Sequence, residues 1–386
     1  RMAAMKIAII RQRYNPYGGA ERFVERALGA LVAEGTEVTL ITRNWDGAPR
    51  EGFRTIICDP SRGSWLAGRA GRDKAFTACV QQVIAAGDFD LVQSHERVPG
   101  CSIFRAGDGV HAAWLAQRAR FLPPWRRLAQ RFSPFHRHVL AAEEAMFSHP
   151  ALRAVICNSH MVADEIVQYY GVDRSKLHVI YNGVDTHDFH PRLADLHRAT
   201  VRQSLGLSGT TPLLLYVGSG YERKGVPQLL RAFVSAAKSG AHLLVVGADR
   251  KLNATRRLAD RLGISENTHF LGPVKDVRPF YGAADAFVLP TLYDPCPNAA
   301  LEAMACGLPI LTGIACGARE WVVEGQNGLI VDPLSENELA RALEKLIRLS
   351  MEPAAHLLAR QSVEALDLPT MSSRLLALYH RLSPQI

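Results

Sequence analysis

The chain has 386 residues, enough for two or three domains of about 100–200 residues each. Hydrophobic residues make up 48% and charged residues 21%, which excludes a disordered or fibrous chain and fits a globular protein with a full core. The net charge is +8, and most of it comes from six arginines between His111 and Leu140, a stretch that contains no acid.

In chain order, Lys6–Ile10 reads as a buried parallel strand, because five residues with four consecutive apolar ones leave no polar face. A polar loop, Arg11–Gly19, leads into a helix over Ala20–Glu34, where Phe23, Ala27 and Leu31 recur every four residues and Gly35 ends the run. Val38–Thr42, Arg54–Cys58, Phe89–Gln93, the short Ile103–Arg105 and Ala154–Asn158 are further strands. Ser159–Tyr170 is a helix with Ser159 as its N-cap, and Leu177–Ile180 a strand before an Asn182-Gly183 turn.

The pattern then restarts. Leu213–Val217, His242–Val246, His269–Leu271, Ala286–Leu289, Ile310–Thr312 and Leu329–Val331 are strands. Helices fall at Gln228–Lys238 (with Pro227 in its first turn), Ala299–Ala305 and Glu338–Leu349. Two strand–helix series predict two doubly wound α/β domains of parallel sheet, joined by the polar stretch from Asp185 to about Thr211. Such sheets bind ligands at the carboxyl ends of their strands, so two facing domains would share a cleft.

Seven cysteines stand at 58, 79, 101, 157, 296, 306 and 316. Their odd number and the lack of a CxxC pair argue against a disulfide framework and a structural zinc site, and fit a reducing cytosol. No apolar run approaches the roughly 18–20 residues that span a bilayer, and the first residues carry no signal-peptide core.

Three stretches carry chemistry. Thr291–Pro309 holds two acids eight apart. Pro295 and Pro297 keep Asp294 in a loop, while Asn298 is placed to cap the helix that carries Glu302 in its first turn. Ionised carboxylates only accept, which suits sugar hydroxyls, and the N–H groups of Asn298, Ala299 and Ala300 suit a phosphate. A capped helix with a solvent-facing Glu302 is the equal alternative. Gly218–Gly225 follows one strand and precedes a helix. Its glycines admit a ligand backbone-close, and Arg223 and Lys224 offer cations to phosphate oxygens, or else the segment is a solvated turn. It lacks the P-loop pattern. Tyr14–Gly19, with Gly18 and Gly19 before a helix, suits phosphate approach or a tight turn.

Acid–base candidates in the first half are His95, Asp108 and His111, each just past a strand. Asp88-Phe89-Asp90 has the spelling of a DxD metal site but precedes its strand, so it reads as a turn. His136 and His138 read as surface residues, and no cluster has metal-ligand spacing. Trp114, Phe121, Leu122, Trp125, Phe132 and Phe135 interleave with the six arginines, as suits an anionic membrane surface or a solvated amphipathic hairpin. No nucleic-acid motif accompanies the charge.

Together, the glycine-rich first loop, the strand–GS-x-x-x-RKG turn and the acid-x7-Glu element followed by A-x-x-x-G-x-P resemble family 4 of the retaining glycosyltransferases, over nearly the whole chain. Within it the sequence is most similar to the lipopolysaccharide-core glucosyltransferases, through Tyr14–Glu21, the Asp108 region and the basic aromatic insertion. The resemblance implies the GT-B fold. A Rossmann-like acceptor domain would span 1–190, a nucleotide-sugar domain 191–365, and a final helix within 366–386 would return to the first. By the same resemblance Arg223 and Lys224 bind the donor diphosphate, with Gly18 and Gly19 opposite. Glu302 binds the ribose, Asp294 the transferred sugar, and Val274 and Lys275 in the loop Gly272–Lys275 the base. Asp108 and His111 join Asp294 and Glu302 as the catalytic set.

The implied reaction is transfer of a hexose from a nucleotide sugar, a UDP-sugar foremost, to a glycolipid acceptor such as a lipopolysaccharide core. It needs neither metal nor cofactor and takes place on the cytoplasmic face of the inner membrane. A soluble acceptor, a sugar-nucleotide epimerase on the same scaffold, and a non-enzymatic nucleotide- or membrane-binding module are the alternatives. Asp294 stands where the family usually has Glu, and Cys296-Pro297 where it has Phe-Gly, which bears on the identity of the sugar.

Overall fold

The computed structural model of the protein describes residues 5–14, 29, 32, 35–45, 53–59 and 68–383. The chain divides into two compact units, Arg1–Asn182 with Leu368–Ile386, and Gly183–Asp367. The division thus falls at Asn182, eight residues before the expected boundary at 190, and the last helix belongs to the first unit.

The first unit is built on a seven-stranded sheet: β1 (Lys6–Tyr14), β2 (Glu37–Trp45), β3 (Phe53–Ile57), β4 (Leu91–Ser94), β5 (Ile103–Ala106), β6 (Ala154–Cys157) and β7 (Leu177–Val179). The order is β3-β2-β1-β4-β5-β6-β7, and every pair is parallel. One face of its pleat carries Ile7 and Ile9, Val38 and Leu40, Leu91, Ile103, Ala154 and Ile156. The helix Leu368–Leu382 covers that face with Met371, Leu375, Leu378 and Tyr379, spaced for a single helical stripe. Each such side chain contributes about 1.5–3 kcal/mol when fully buried. The Tyr379 hydroxyl donates to Gln93 Oε1 at 2.5 Å across 286 residues of sequence, and burial pushes its pKa up.

Arg11–Tyr14, read from sequence as loop, continues β1, because β2 runs on equally and pairs Arg11 with Thr42 and Tyr14 with Trp45. A helix over Gly68–Ala86 has no counterpart in the sequence reading; it buries Phe76 and Val80, one turn apart, but the basic and small residues around them hide that face in the sequence. It carries Cys79, which is joined by a disulfide to Cys58 at the end of β3. The expectation that the cysteines stay unpaired is corrected for this pair, since the two Cα atoms, 21 residues apart in sequence, lie 5.8 Å from each other. The other five cysteines are buried and stand outside any disulfide. The expected helix Ala20–Glu34 lies outside the described residues except for Gly29 and Val32, which are helical.

The second unit has a six-stranded parallel sheet: β8 (Leu213–Val217), β9 (His242–Val246), β10 (Thr268–Gly272), β11 (Ala286–Leu289), β12 (Ile310–Gly313) and β13 (Gly328–Val331), in the order β10-β9-β8-β11-β12-β13. Its central strands are buried on both faces, which is why they read as unbroken apolar runs. The stretch taken as a polar linker, Asp185–Thr211, contains a helix, Leu193–Ser204, that belongs to this unit. Its Arg202 is buried and holds Asp285 Oδ2 at 2.7 Å and the carbonyls of Ala283, Ser208 and Thr211. A buried guanidinium with its hydrogen bonds met replaces the apolar stripe that a sequence search looks for.

Candidate active site

In the second sheet the strand order reverses between β8 and β11. A crevice for ligands opens at such a point, beyond the carboxyl ends of the strands. The loops leaving these two strands carry the expected residues. After β8, Gly218, Gly220 and Gly225 hold positive φ of 154°, 75° and 74°. A Cβ on Gly225 would lie 1.9 Å from the Pro290 carbonyl oxygen after β11, so the loops approach closely only because that position is glycine. Leu292 N donates to the Arg223 carbonyl at 2.9 Å, and the Thr291 hydroxyl reaches the same oxygen at 3.2 Å. From β9, Asp249 Oδ2 accepts from Gly220 N at 2.8 Å and Tyr221 N at 2.9 Å, fixing the turn before Arg223 and Lys224.

The result is an ion pair. Lys224 Nζ lies 3.4 Å from Asp294 Oδ2, with both side chains mostly buried. Arg223, half-buried beside it, reaches the Tyr293 carbonyl at 3.5 Å. Gly218 leaves room for Lys224: a Cβ there would meet its Nζ at 3.2 Å and the Tyr216 hydroxyl at 3.3 Å. That hydroxyl is buried without a hydrogen-bond partner, and burial drives its pKa well up. Asp294 is held by its backbone, which accepts from Gly317 N at 2.9 Å and donates to Ala315 O at 3.1 Å.

Glu302 lies on the helix Asn298–Ala305, whose Oε2 partner is the Tyr281 hydroxyl at 2.9 Å. Two sequence expectations are corrected here. Pro297, in an extended conformation, is the N-cap, so Asn298 is already the first helical residue and does not cap by its side chain; Glu302 therefore falls in the second turn. The Ala300 N–H is bonded to the Pro297 carbonyl at 3.1 Å, so of the three amides proposed for a phosphate this one is occupied. Asn298 and Ala299 are half-buried. Val274, half-buried, and Lys275, exposed, follow β10, two strands from β8, and the structure gives them no bond to the Lys224–Asp294 pair. Gly18 and Gly19 lie outside the described residues.

In the first unit, Asp108 sits exposed in the turn after β5, and His111 opens the helix His111–Ala119. That helix has no side-chain cap of its own. Glu143, almost fully buried, takes the His111 N–H at 2.8 Å and also accepts from Arg97 Nε at 2.8 Å and the Tyr170 hydroxyl at 2.6 Å. His136, read as a surface residue, is half-buried, with Nδ1 3.1 Å from His111 Nε2 and Nε2 3.2 Å from Arg118 NH1. His95 is buried against Gln93 at 3.0 Å. Asp88 and Asp90 bond Lys6 at the start of β1, the amino end of the sheet. Tyr281, Asp249 and Glu143 were missed by sequence reasoning. Each acts on a residue distant in sequence, and no local pattern marks it.

The basic stretch folds as three helices, His111–Ala119, Pro124–Phe132 and Pro134–Phe147. Leu122 is buried, while Trp125, Leu128 and Phe132 are 66%, 59% and 63% exposed and share one face of the middle helix. No helix among the described residues is long and apolar enough to cross a membrane.

Comparison with known proteins decides the family. Residues 17–188 match the description Glycosyltransferase Family 4, and residues 197–361 match Glycosyl transferases group 1. The chain belongs to the family 4 glycosyltransferases, with the GT-B fold. Lipopolysaccharide glucosyltransferase WaaG of Escherichia coli (strain K12) is 29% identical over 350 residues, 89% of this chain and 90% of that protein. A crystal structure of WaaG, a glycosyltransferase involved in lipopolysaccharide biosynthesis, superposes with a TM-score of 0.80 at 25% identity, covering 96% of this chain and 99% of that one. D-inositol 3-phosphate glycosyltransferase of Mycolicibacterium smegmatis (strain ATCC 700084 / mc(2)155) is 29% identical over 377 residues, 90% of this chain and 82% of that protein.

Proposed function

We propose that this glycosyltransferase moves a hexose from a UDP-sugar to a glycolipid such as a lipopolysaccharide core, with retention and without a metal. The observation that carries the reading is the meeting of Lys224 and Asp294 at 3.4 Å where the second sheet changes direction, one loop from Glu302. Breaking the anomeric C–O bond leaves charge on the diphosphate. Arg223, Lys224 and the amino end of the helix Asn298–Ala305 stabilise that charge. Asp294 accepts from hydroxyls of the departing sugar, and Glu302 from the ribose. The acceptor hydroxyl attacks on the face that the phosphate leaves, and its proton passes to the departing phosphate oxygen. The glucosyl group in the name of WaaG and its part in lipopolysaccharide biosynthesis favour a hexose and this acceptor class.

The test is a thermal-shift panel of UDP-, GDP- and ADP-sugars followed by transfer assays with and without EDTA. A UDP-sugar should raise the melting temperature most, by mass action, and EDTA should leave the rate unchanged. Selective stabilisation by another nucleotide, or loss of activity in EDTA, overturns the donor or the metal-free part respectively.

The acceptor's location rests on a separate feature. Trp125, Leu128 and Phe132 project from a helix whose Arg126, Arg127 and Arg131 are also exposed, an arrangement suited to an anionic leaflet on the cytoplasmic side. Flotation with anionic vesicles should carry the protein upward and release it in high salt. Failure to float favours the soluble acceptor.

A further inference from the structure

The Tyr216 hydroxyl and the Lys224 ammonium border one small space in the second unit, the space that a side chain on Gly218 would fill. A Cβ there would stand 3.3 Å from the hydroxyl oxygen and 3.2 Å from Lys224 Nζ. The two groups are used unequally. Lys224 Nζ meets Asp294 Oδ2 at 3.4 Å, a loose contact beside the roughly 2.7–2.9 Å of a charge-assisted hydrogen bond. The Tyr216 hydroxyl belongs to a side chain with no exposure and has no hydrogen-bond partner. A buried hydroxyl costs free energy in any state that leaves it so. We propose that Tyr216 is a positioning residue whose oxygen accepts from Lys224 Nζ when the donor is bound, holding the ammonium at the diphosphate once the sugar hydroxyls have taken Asp294. This inference rests on the proposed roles of Lys224 and Asp294; the unpartnered hydroxyl beside the ammonium does not.

The surroundings hold both the oxygen and the space. Tyr216 lies near the carboxyl end of β8, and its ring meets that of Tyr221 edge-on at 5.9 Å. Tyr221 is itself fixed at two points: its hydroxyl donates to the Gly247 carbonyl at 3.0 Å, and its N–H to Asp249 Oδ2 at 2.9 Å. Gly218, two residues after Tyr216, brings no side chain of its own between the hydroxyl and the ammonium. Burial foremost, with Tyr221, Asp294 and Asp249 nearby, drives the Tyr216 pKa well up, so the group stays a neutral hydroxyl. A neutral oxygen accepts from a cation without competing by charge for it, as a carboxylate would. An ammonium has three N–H donors, so one can serve Tyr216 while the others reach phosphate oxygens. The hydroxyl then gains in the loaded state the partner that it lacks in the resting one, and that difference adds to donor affinity.

Melting curves of the whole chain, with calorimetric titration of inorganic pyrophosphate and of UDP, test this in Tyr216→Phe. Without ligand, the variant should melt higher than the parent protein, because a buried polar group that lacked a partner is gone. It should bind pyrophosphate and UDP about tenfold more weakly, because the hydrogen bond to the ammonium in the loaded state is lost. Its kcat/KM for the nucleotide sugar should fall at least as far. Tyr221→Phe removes a hydroxyl that has a partner and should melt lower, so the opposite sign at Tyr216 reports the missing bond. A higher melting temperature with unchanged pyrophosphate affinity makes Tyr216 a cost to the core and nothing more, and overturns the proposal. A lower melting temperature overturns it too, since the hydroxyl would then be bonded in the resting state. If the parent protein binds pyrophosphate but no UDP-sugar, and Tyr216→Phe still loses pyrophosphate, the donor reading fails and the anchor stands. A parent protein that binds no pyrophosphate sinks both.

Discussion

The Tyr281 hydroxyl donates to Glu302 Oε2 at 2.9 Å from a ring that is almost wholly buried. Burial, with Glu302 beside it, drives the phenol pKa well up, so the hydroxyl remains a donor throughout the working pH range. The pair fixes where the Glu302 carboxylate points, and on the proposed reading it does so ahead of the ribose. Tyr281→Phe removes the donor and little volume. It should cost about 1 kcal/mol of stability and raise the donor KM several-fold while kcat falls less. Denaturant melts and steady-state kinetics would check both.

Lys224 and Asp294 are coupled, and a double-mutant cycle measures the coupling. Lys224→Met leaves a buried carboxylate without its cation and should destabilise the second unit by about 1–3 kcal/mol. Adding Asp294→Asn should recover most of that loss. Neither the single nor the double variant should transfer sugar. Full activity in Lys224→Met would remove the assignment of Lys224 to the diphosphate.

Gly225 and Gly220 separate crowding from conformation. Both have φ near 75°, but only Gly225 faces a backbone oxygen, at 1.9 Å from the added Cβ. Gly220→Ala should cost about 1–2 kcal/mol, the penalty of the left-handed backbone alone. Gly225→Ala should cost clearly more and abolish transfer, since it forces apart the loops that bring Lys224 to Asp294. Equal melting temperatures for the two variants would refute the close-approach explanation.

Acid should weaken the first unit through His95. Burial first, then the Arg105 and Arg11 cations, hold its pKa well below the ordinary 6.5. The unfolded chain then binds a proton that the folded chain refuses, so stability is complete above about pH 6.5 and declines as the pH drops below it. His136, His178, His190, His242 and His269 are lowered as well and act in the same sense. Melting temperature should fall between pH 7 and 5, and His95→Gln should flatten the slope. An unchanged slope in that variant would assign the acid sensitivity to the other histidines.

The second sheet was legible in the sequence because its strands are buried on both sides: Leu213–Val217, His242–Val246 and Ala286–Leu289 agree residue for residue with the apolar runs. The reach of β1 to Tyr14 was not, because Arg11 and Arg13 look like loop residues until β2 is seen to run beside them. The helix Leu193–Ser204 was hidden by Arg202, a charge that is buried because it has Asp285. In the site, Lys224 and Asp294 were found through their loops, since glycines and prolines announce sharp turns. The groups that hold the turn before Lys224 and the Glu302 carboxylate, Asp249 and Tyr281, escaped notice because they act through space. Spacing along a chain reports which residues share a loop, and it says nothing about which distant group settles a proton or an angle.

The helix Leu368–Leu382 seals the apolar face of the first sheet, although 185 residues of the second unit intervene between it and Asn182. During synthesis, Ile7, Val38 and Leu91 therefore emerge from the ribosome long before the side chains that shield them. The second unit, continuous in sequence, can finish folding while its neighbour still shows a greasy flank to water or to a chaperone. A stop codon ahead of Leu368 would spare the later-made half and leave the earlier-made one prone to aggregate.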